Sequence, residues 1–149
     1  THLVGLGLKD SAAAAKALFE TWREEYSALM KEIASAFSKP WLESKKLLDP
    51  IFARKINPMV ELLMGAVVSA NEVRGRMEAE RAGLIAVAAL LRNRLENGEL
   101  RDSLKGLEVP PDPFTGGPLQ IEHTVEGTEI RSEGKSADGK QIVFRIKAR

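Results

Sequence analysis

The sequence predicts an α+β fold that is mainly helical, with long amphipathic antiparallel helices and a small C-terminal three-stranded antiparallel β-meander. Apolar residues keep a helical spacing as far as Asn97, and Gly98 follows as the expected helix terminator. After Pro118 the apolar period changes from 3.6 to 2, as in strands with one buried face. We therefore expect a helical region over 1–99, with a loop and meander over 100–149 packed on the last helix.

The first helix is expected over about 11–37. Asp10 and Ser11 form a good N-cap pair. The apolar residues that follow recur at helical spacing and predict one buried stripe: Leu18, Phe19, Trp22, Tyr26, Leu29, Met30, Ile33 and Phe37.

Three prolines mark the starts of the next helices. Pro40, Pro50 and Pro58 each suit a first helical turn, where the missing N–H costs nothing, and the Asp or Asn before two of them can cap. We expect short helices over 40–48 and 50–56, followed by a long helix over 58–97.

The long helix carries apolar positions over its whole length. It is either continuous or kinked near Gly75–Gly83, where glycine is frequent. Its first half is expected to pack antiparallel to the first helix. The residues predicted to face the core are Leu62, Leu63, Ala66, Val67, Ala70, Val73, Met77, Leu84, Val87, Leu91 and Leu95.

The C-terminal part begins with a short helical turn over 102–107 and a proline-rich link. Alternating apolar residues then predict three strands, at 119–124, 128–131 and 142–147. Turn sequences at 126–127 and 137–140 join them.

Composition excludes several functional classes. The formal net charge is +1 and opposite charges are interleaved, which argues against a nucleic-acid-binding surface. The chain has no cysteine, which excludes disulfides, thiolate nucleophiles and cysteine-ligated zinc. A metal site that used both histidines would have to join His2, at the start of the chain, to His123 on a predicted strand, so none is expected.

The sequence predicts no catalytic, cofactor-binding or metal-binding residues. Ser132 and Lys135 match Ser-x-x-Lys literally, but the serine lies in a predicted turn instead of at a helix start. Asp112 before Pro113 is interpreted as turn chemistry, its side chain accepting nearby backbone N–H groups. We therefore expect a protein that is not an enzyme.

The aromatic residues of the helical region leave two hypotheses open. In the first, they form the core between the first helix and the proline-started helices. In the second, Trp22 or Trp41 lines a groove for a partner helix, or for an apolar small molecule or lipid.

The last 65–70 residues carry an ordered set of motifs. An alanine-rich helix ends in Glu96-Asn97-Gly98, and Ser103-Leu104-x-x-Leu107 follows it. Next comes the block Pro111-Asp112-Pro113-Phe114-Thr115-Gly116-Gly117-Pro118-Leu119. Ser132-x-Gly134 and Asp138-Gly139 come last. This order resembles the C-terminal half of major type II secretion pseudopilins. It resembles more closely the pseudopilin-like tails of uncharacterised bacterial envelope proteins.

The resemblance implies an extracytoplasmic module, periplasmic or membrane-tethered, with a scaffold or interaction role and protein partners in the cell envelope. The expected interaction loop comprises Pro111, Asp112, Pro113, Phe114, Gly116, Gly117 and Pro118. The apolar opening at 3–8 is interpreted either as the stub of an upstream signal or anchor helix or as an ordinary docking segment. The oligomeric state is left open.

Three features depart from the family pattern, one of which is Arg131, since the family usually has an aromatic residue before Ser-x-Gly. About 80 residues of helical sequence precede the module, where pseudopilins have their hydrophobic N-terminal helix. The family's aspartate-rich calcium loop here reads Lys135-Ser136-Ala137-Asp138-Gly139-Lys140, with one carboxylate and two lysines, so no calcium site is expected.

Overall fold

The computed structural model describes residues 2–54, 58–136 and 139–147, with side chains from residue 11 onward except those of 58–60 and 63. Three helices, α1 (His2–Phe37), α2 (Trp41–Phe52) and α3 (Pro58–Asn97), precede three strands, β1 (Gln120–Thr124), β2 (Gly127–Arg131) and β3 (Val143–Lys147). The α+β class with a C-terminal meander is confirmed.

Helix α1 is longer than predicted. It begins at His2 and passes through Asp10 and Ser11, so the predicted N-cap at these two residues is wrong. The segment 2–10 contains no proline, and a favourable cap residue does not end a helix whose preceding residues can continue it.

Among the side chains of α1 that the structure describes, those that pack against the rest of the protein lie over 29–37. Leu29, Ile33 and Ala36 are buried with residues of α2 and α3, whereas almost every residue over 11–28 is exposed. We call residues 11–28 the α1 arm. The predicted burial of Leu18, Phe19 and Tyr26 is therefore wrong.

Helix α2 replaces the two short helices predicted over 40–48 and 50–56. It runs through Pro50, and the Ala53 N–H still donates to the Asp49 carbonyl at 3.1 Å. Pro50 lies on the exposed side, where water can bind the carbonyl that its missing N–H leaves unpaired. The last two residues of the predicted helix over 50–56, and the predicted cap residue Asn57, lie outside the described residues.

Helix α3 is continuous, as one of the two alternatives proposed, and the Gly98 N–H closes it by donating to the Arg94 carbonyl at 2.8 Å. Gly98 has a φ of 84°, so it is the predicted left-handed terminator. Helix α2 contacts both α1 and α3. Met64 of α3 belongs to the same buried cluster as Leu29 and Ile33 of α1, and the antiparallel packing of these two helices stays a prediction.

The buried face of α3 is lined mainly by small residues and lies opposite most of the predicted one. The buried positions are Met64, Asn71, Gly75, Ala79, Ala82, Gly83, Ala86, Leu90 and Asn93. Of the residues predicted to face the core, Leu62, Val73, Met77, Leu84, Leu91 and Leu95 are exposed, and Val67 and Val87 are half-buried. Large neighbouring side chains fill the space that the small residues leave.

The link over 99–119 contains no helix. The helical turn predicted over 102–107 is wrong, since the segment forms only a tight turn in which the Leu107 N–H donates to the Leu104 carbonyl at 3.0 Å. Gly106 at φ 81° ends that turn. A left-handed residue at this point prevents the turn from continuing as a helix.

The sheet has the order β1-β2-β3, with both pairs antiparallel. Ile130 at the centre of β2 is opposite Ile121 and Phe144. The apolar side chains pack on Ala82, Ala86 and Leu90 of α3 and on Leu104 and Leu119 of the link. The meander thus lies on the long helix as predicted. The residues Ala137 and Asp138 of its second turn lie outside the described residues.

Two hydrophobic clusters divide the chain, one around Leu48 between the three helices and one around Ile130 between α3 and the sheet. Helix α3 belongs to both.

Across the segments described above, no helix combines the length and hydropathy needed to cross a bilayer.

Candidate functional site

The segment 110–118, which we call the proline loop, is held by the buried carboxylate of Asp112. The Phe114 N–H donates to Asp112 Oδ1 at 3.0 Å, the Asx-type turn expected from the sequence. The backbone N–H of Asp112 donates to the Gly117 carbonyl at 2.7 Å, and its carbonyl accepts from the Gly116 N–H at 2.7 Å. Asp112 therefore fixes the shape of its own loop.

The same carboxylate also ties the proline loop to the turn after β2. The Ser132 hydroxyl lies 2.9 Å from Oδ1 and 2.8 Å from Oδ2, and the Glu133 N–H donates to Oδ2 at 2.9 Å. Asp112 and Ser132 are both buried. Ser132 thus serves as a hydrogen-bond partner of Asp112, which is a structural function for the serine of the Ser-x-x-Lys match.

Trp41 is a second anchor, at the start of α2. Its indole Nε1–H donates to the Asn71 carbonyl at 2.8 Å, and its backbone N–H donates to Glu78 Oε2 at 3.2 Å. Its ring meets Phe114 edge to face, with centroids 5.0 Å apart. Trp41 therefore joins α2, α3 and the proline loop, and it is buried.

Two glycines leave room for the rings of Trp41 and Phe114. A methyl group at Gly75 would lie 2.8 Å from Trp41 Cδ1, and one at Gly134 would lie 3.0 Å from Phe114 Cγ. Both distances are shorter than ordinary contacts between carbon atoms. Each aromatic ring therefore packs directly against the backbone of a glycine, where any larger residue would clash with it.

Arg74 closes the junction between α1 and α2. Its guanidinium donates to the carbonyl of Phe37 at 2.8 Å and to the carbonyl of Lys39, and its Nε lies 2.8 Å from Glu78 Oε1. The same group lies 5.6 Å from the centre of the Phe37 ring. Sequence analysis missed this role, because a lone Arg on a helix resembles any solvated charge.

The seven residues of the predicted interaction loop differ in exposure. Asp112 is buried, whereas Pro113, Phe114 and Gly117 are half-buried. Pro111, Gly116 and Pro118 are exposed, and these three present the outer surface of the proline loop.

A cleft of about 540 Å³ lies between the start of α2, the middle of α3 and the proline loop. Its walls combine Trp41, Leu42 and prolines with the charged side chains of Glu78 and Arg81. A second cleft of about 600 Å³ lies on the other side of the proline loop, next to Leu104 and Leu119.

The other predicted groove aromatic, Trp22, is half-buried on the α1 arm. Its ring meets Phe19 edge to face, with centroids 5.4 Å apart. Phe19 is 63% exposed. The two rings therefore form a small aromatic patch that is largely open to solvent.

One arrangement with the pattern of a catalytic triad was missed in the sequence. His123 Nδ1 lies 2.9 Å from the Thr128 hydroxyl, and His123 Nε2 lies 2.9 Å from Asp102 Oδ1. His123 and Thr128 are directly opposite each other in the β1–β2 register, which is a local signal that could have revealed the pair. Thr128 is only 4% exposed, and the Asp102 side chain is 91% exposed. A nucleophile must be accessible to substrate, and its base must be held firmly; the buried Thr128 does not meet the first requirement, and the exposed Asp102 does not meet the second. We therefore interpret the contact between His123 and Thr128 as a structural hydrogen bond between strands.

The sheet also carries ion pairs between neighbouring strands, Glu122 with Arg131 and Glu129 with Arg145. The Arg145 Nε lies 2.6 Å from Glu129 Oε1. This hydrogen bond, together with the negative charge of Glu129, raises the pKa of Arg145. The pair contributes to the pairing of β2 with β3.

In the part of the chain that the structure describes, no group of three or more His, Cys, Asp or Glu residues could hold a metal ion.

Comparison of the chain with protein-family models, with curated proteins and with solved structures found no match.

Proposed function

We propose that this chain is a non-catalytic structural and protein-interaction module of the bacterial cell envelope, and that it docks a helix of a partner protein along the α1 arm. The observation that carries the proposal is the aromatic patch of Phe19 and Trp22, which continues the packed stripe of α1 into solvent.

Continuity of that stripe supports a helix as the occupant. Leu29 and Ile33 bury their side chains against helix α2, and Leu18, Trp22 and Tyr26 extend the same face of α1 toward its N-terminus. Because this face of α1 packs on a helix over 29–37, the same side-chain spacing allows it to pack on a helix along the α1 arm. The opposite face of the arm carries Glu20 and Glu24 and stays in water.

The envelope location rests on the pseudopilin-like motif order of the C-terminal part. The contacts of the two buried anchors, Asp112 and Trp41, tie that part to the helices, which suits a scaffold. Docking through the exposed residues of the proline loop, Pro111, Gly116 and Pro118, stays a prediction alongside docking through the arm.

Site-specific photocrosslinking in the native bacterium tests the arm as a docking surface. We expect benzoylphenylalanine in place of Phe19 to give one discrete crosslinked product, and the same group in place of Glu24, on the opposite face, to give none. Equal crosslinking from both positions, or none from Phe19, would refute docking along this face.

A reporter fusion tests the location separately. A C-terminal fusion of the full-length protein to an alkaline phosphatase that is active only outside the cytoplasm should be active. Activity of a cytoplasm-specific reporter fused in its place would contradict the envelope proposal while leaving the docking proposal intact.

A second candidate function, binding of an apolar small molecule or lipid, is favoured by the cleft beside Trp41. Its volume of about 540 Å³ lies within the usual range of ligand sites, and polar groups of Glu78 and Arg81 border its apolar wall. Native mass spectrometry of protein purified from its own host should then show a retained ligand that is lost in Leu42→Glu. A spectrum of unliganded protein alone would exclude this candidate.

A further inference from the structure

Helix α3 has an outer apolar stripe that no residue described in the structure covers. Six large side chains, between 40% and 88% exposed, form it: Leu62, Val73, Met77, Leu84, Leu91 and Leu95. Ala66, Ala70 and Ala88 lie between them and are also exposed. At 100° per residue this stripe is about half a turn away from Gly75, Ala82 and Ala86, which contact the rest of the protein.

The stripe is long enough to form an interface. Its members are 4, 7 or 11 residues apart, so the row stays on one face of a nearly straight helix. It runs for about 50 Å and is about 10 Å wide. Two such surfaces would bury about 1,000 Å² in total, the lower limit for a specific interface. Monomers seldom expose an apolar patch of several hundred Å² without a partner for it.

We propose that the outer stripe of α3 binds the same stripe of a second copy of this chain, with the two helices antiparallel. Four of the six large side chains are placed symmetrically about the point between Glu78 and Ala79. Leu62 and Leu95 lie at equal distances from it, and so do Val73 and Leu84. An antiparallel two-fold pair therefore matches these four large side chains with one another, as an isologous interface requires, and it places Leu91 opposite Ala66 and Met77 opposite Glu80.

The charges beside the stripe favour the same direction. Arg76 and Glu80 lie one turn apart on one edge of it, near the point of symmetry, and form an exposed ion pair with Nε and Oε1 2.9 Å apart. In an antiparallel pair each Arg76 lies beside Glu80 of the second copy. A parallel pair would bring Arg76 toward Arg81 of the second copy, and like charges would repel.

Sedimentation equilibrium with charge-swap variants tests the proposal. The wild-type chain should be a dimer at tens of micromolar. Leu84→Lys and Val73→Glu should each raise the dissociation constant at least about 100-fold, because a charge would face an apolar side chain. The double variant Val73→Glu with Leu84→Lys should recover the dimer, since each new carboxylate then meets a new ammonium group.

Controls separate the possible outcomes. Val125→Glu, at a fully exposed site in the turn between β1 and β2, should leave the dimer unchanged. Far-ultraviolet circular dichroism checks that each variant is folded. A monomeric wild type, a dimer that Leu84→Lys does not weaken, or a double variant that stays dissociated would overturn the antiparallel pair. Crosslinking from Phe19 concerns a different helix, so the two proposals fail independently.

Discussion

Gly83→Ala should destabilise the protein, although in most helices the same change stabilises. Gly83 lies inside α3, where alanine is favoured over glycine by about 1 kcal/mol. A methyl group there would lie 2.8 Å from Cζ of Phe144 and closer still to two other atoms of that ring. The ring is held by its place in β3 opposite the buried Ile130. Overpacking of this kind costs about 1–3 kcal/mol. After the gain of about 1 kcal/mol from helix propensity is subtracted, we expect the free energy of unfolding to fall by up to about 2 kcal/mol.

Gly65→Ala is the matched control in the same helix. A methyl group at Gly65 meets nothing within 4 Å, and the residue is exposed. This variant should gain up to about 1 kcal/mol from helix propensity alone. The two chemically identical changes should therefore shift the free energy of unfolding in opposite directions.

Urea denaturation followed by far-ultraviolet circular dichroism measures both shifts. A third variant identifies the cause: in a Phe144→Ala background, Gly83→Ala should lose most of its cost, because the ring that it meets is gone. If Gly83→Ala proves as stable as Gly65→Ala, or if its cost persists without the ring, the docking of the sheet on bare α3 backbone is wrong.

Three further changes test the anchors and α2. Asp112→Asn should lower the free energy of unfolding, measured by urea denaturation, by about 2–4 kcal/mol, because the N–H and hydroxyl donors around it lose their anionic acceptor. The control Asp102→Asn, at an exposed site, should change the same quantity by less than about 0.5 kcal/mol. Trp41→Phe should cost at least about 1 kcal/mol by the same assay, because the indole N–H bond to the Asn71 carbonyl is lost. Pro50→Ala should raise the midpoint of thermal unfolding by several degrees, since alanine restores a helical N–H at an exposed position of α2.

Local patterns were sufficient to predict the order and type of the main elements. The alternation of Ile142, Phe144 and Ile146 with polar residues predicted β3, and Gly98 marked the end of α3. Both signals depend on neighbours in sequence. Pro50 shows the weakness of such signals, because a proline near a helix end looks the same whether it starts a helix or lies within one.

Periodicity could not show which side of α3 faces the core. Leu84 and Ala82 both belong to rows with helical spacing, and side-chain size favours the row of larger residues as the buried one. The protein instead buries the small row, since Trp41 and Phe144 come from other elements and need the space above Gly75 and Gly83. The buried side of α3 is determined by packing partners that are distant in sequence, and the sequence of one helix does not indicate which residues those are.

The contacts that build the candidate site are mostly distant in sequence. The local half of the Asp112 network, its bond to the Phe114 N–H, was expected from the Asp-Pro dipeptide. The bonds from Ser132 and Glu133 connect residues about twenty positions away, and nothing near Asp112 indicates them. Of the aromatic patch on α1, the sequence indicated Trp22 as a groove candidate, whereas it predicted Phe19 to be buried; the exposure of Phe19 depends on which part of α1 the other helices contact.

The central claim is that the chain is a packed body with an uncovered helical arm. Hydrogen–deuterium exchange of the isolated wild-type chain at low micromolar concentration tests it most directly. Amides over 11–28 should exchange within seconds, because a helix without tertiary contacts is only marginally stable, while those over 29–37 should be protected for much longer. Equal and strong protection of both segments would show that the arm is covered within the monomer and would contradict the account.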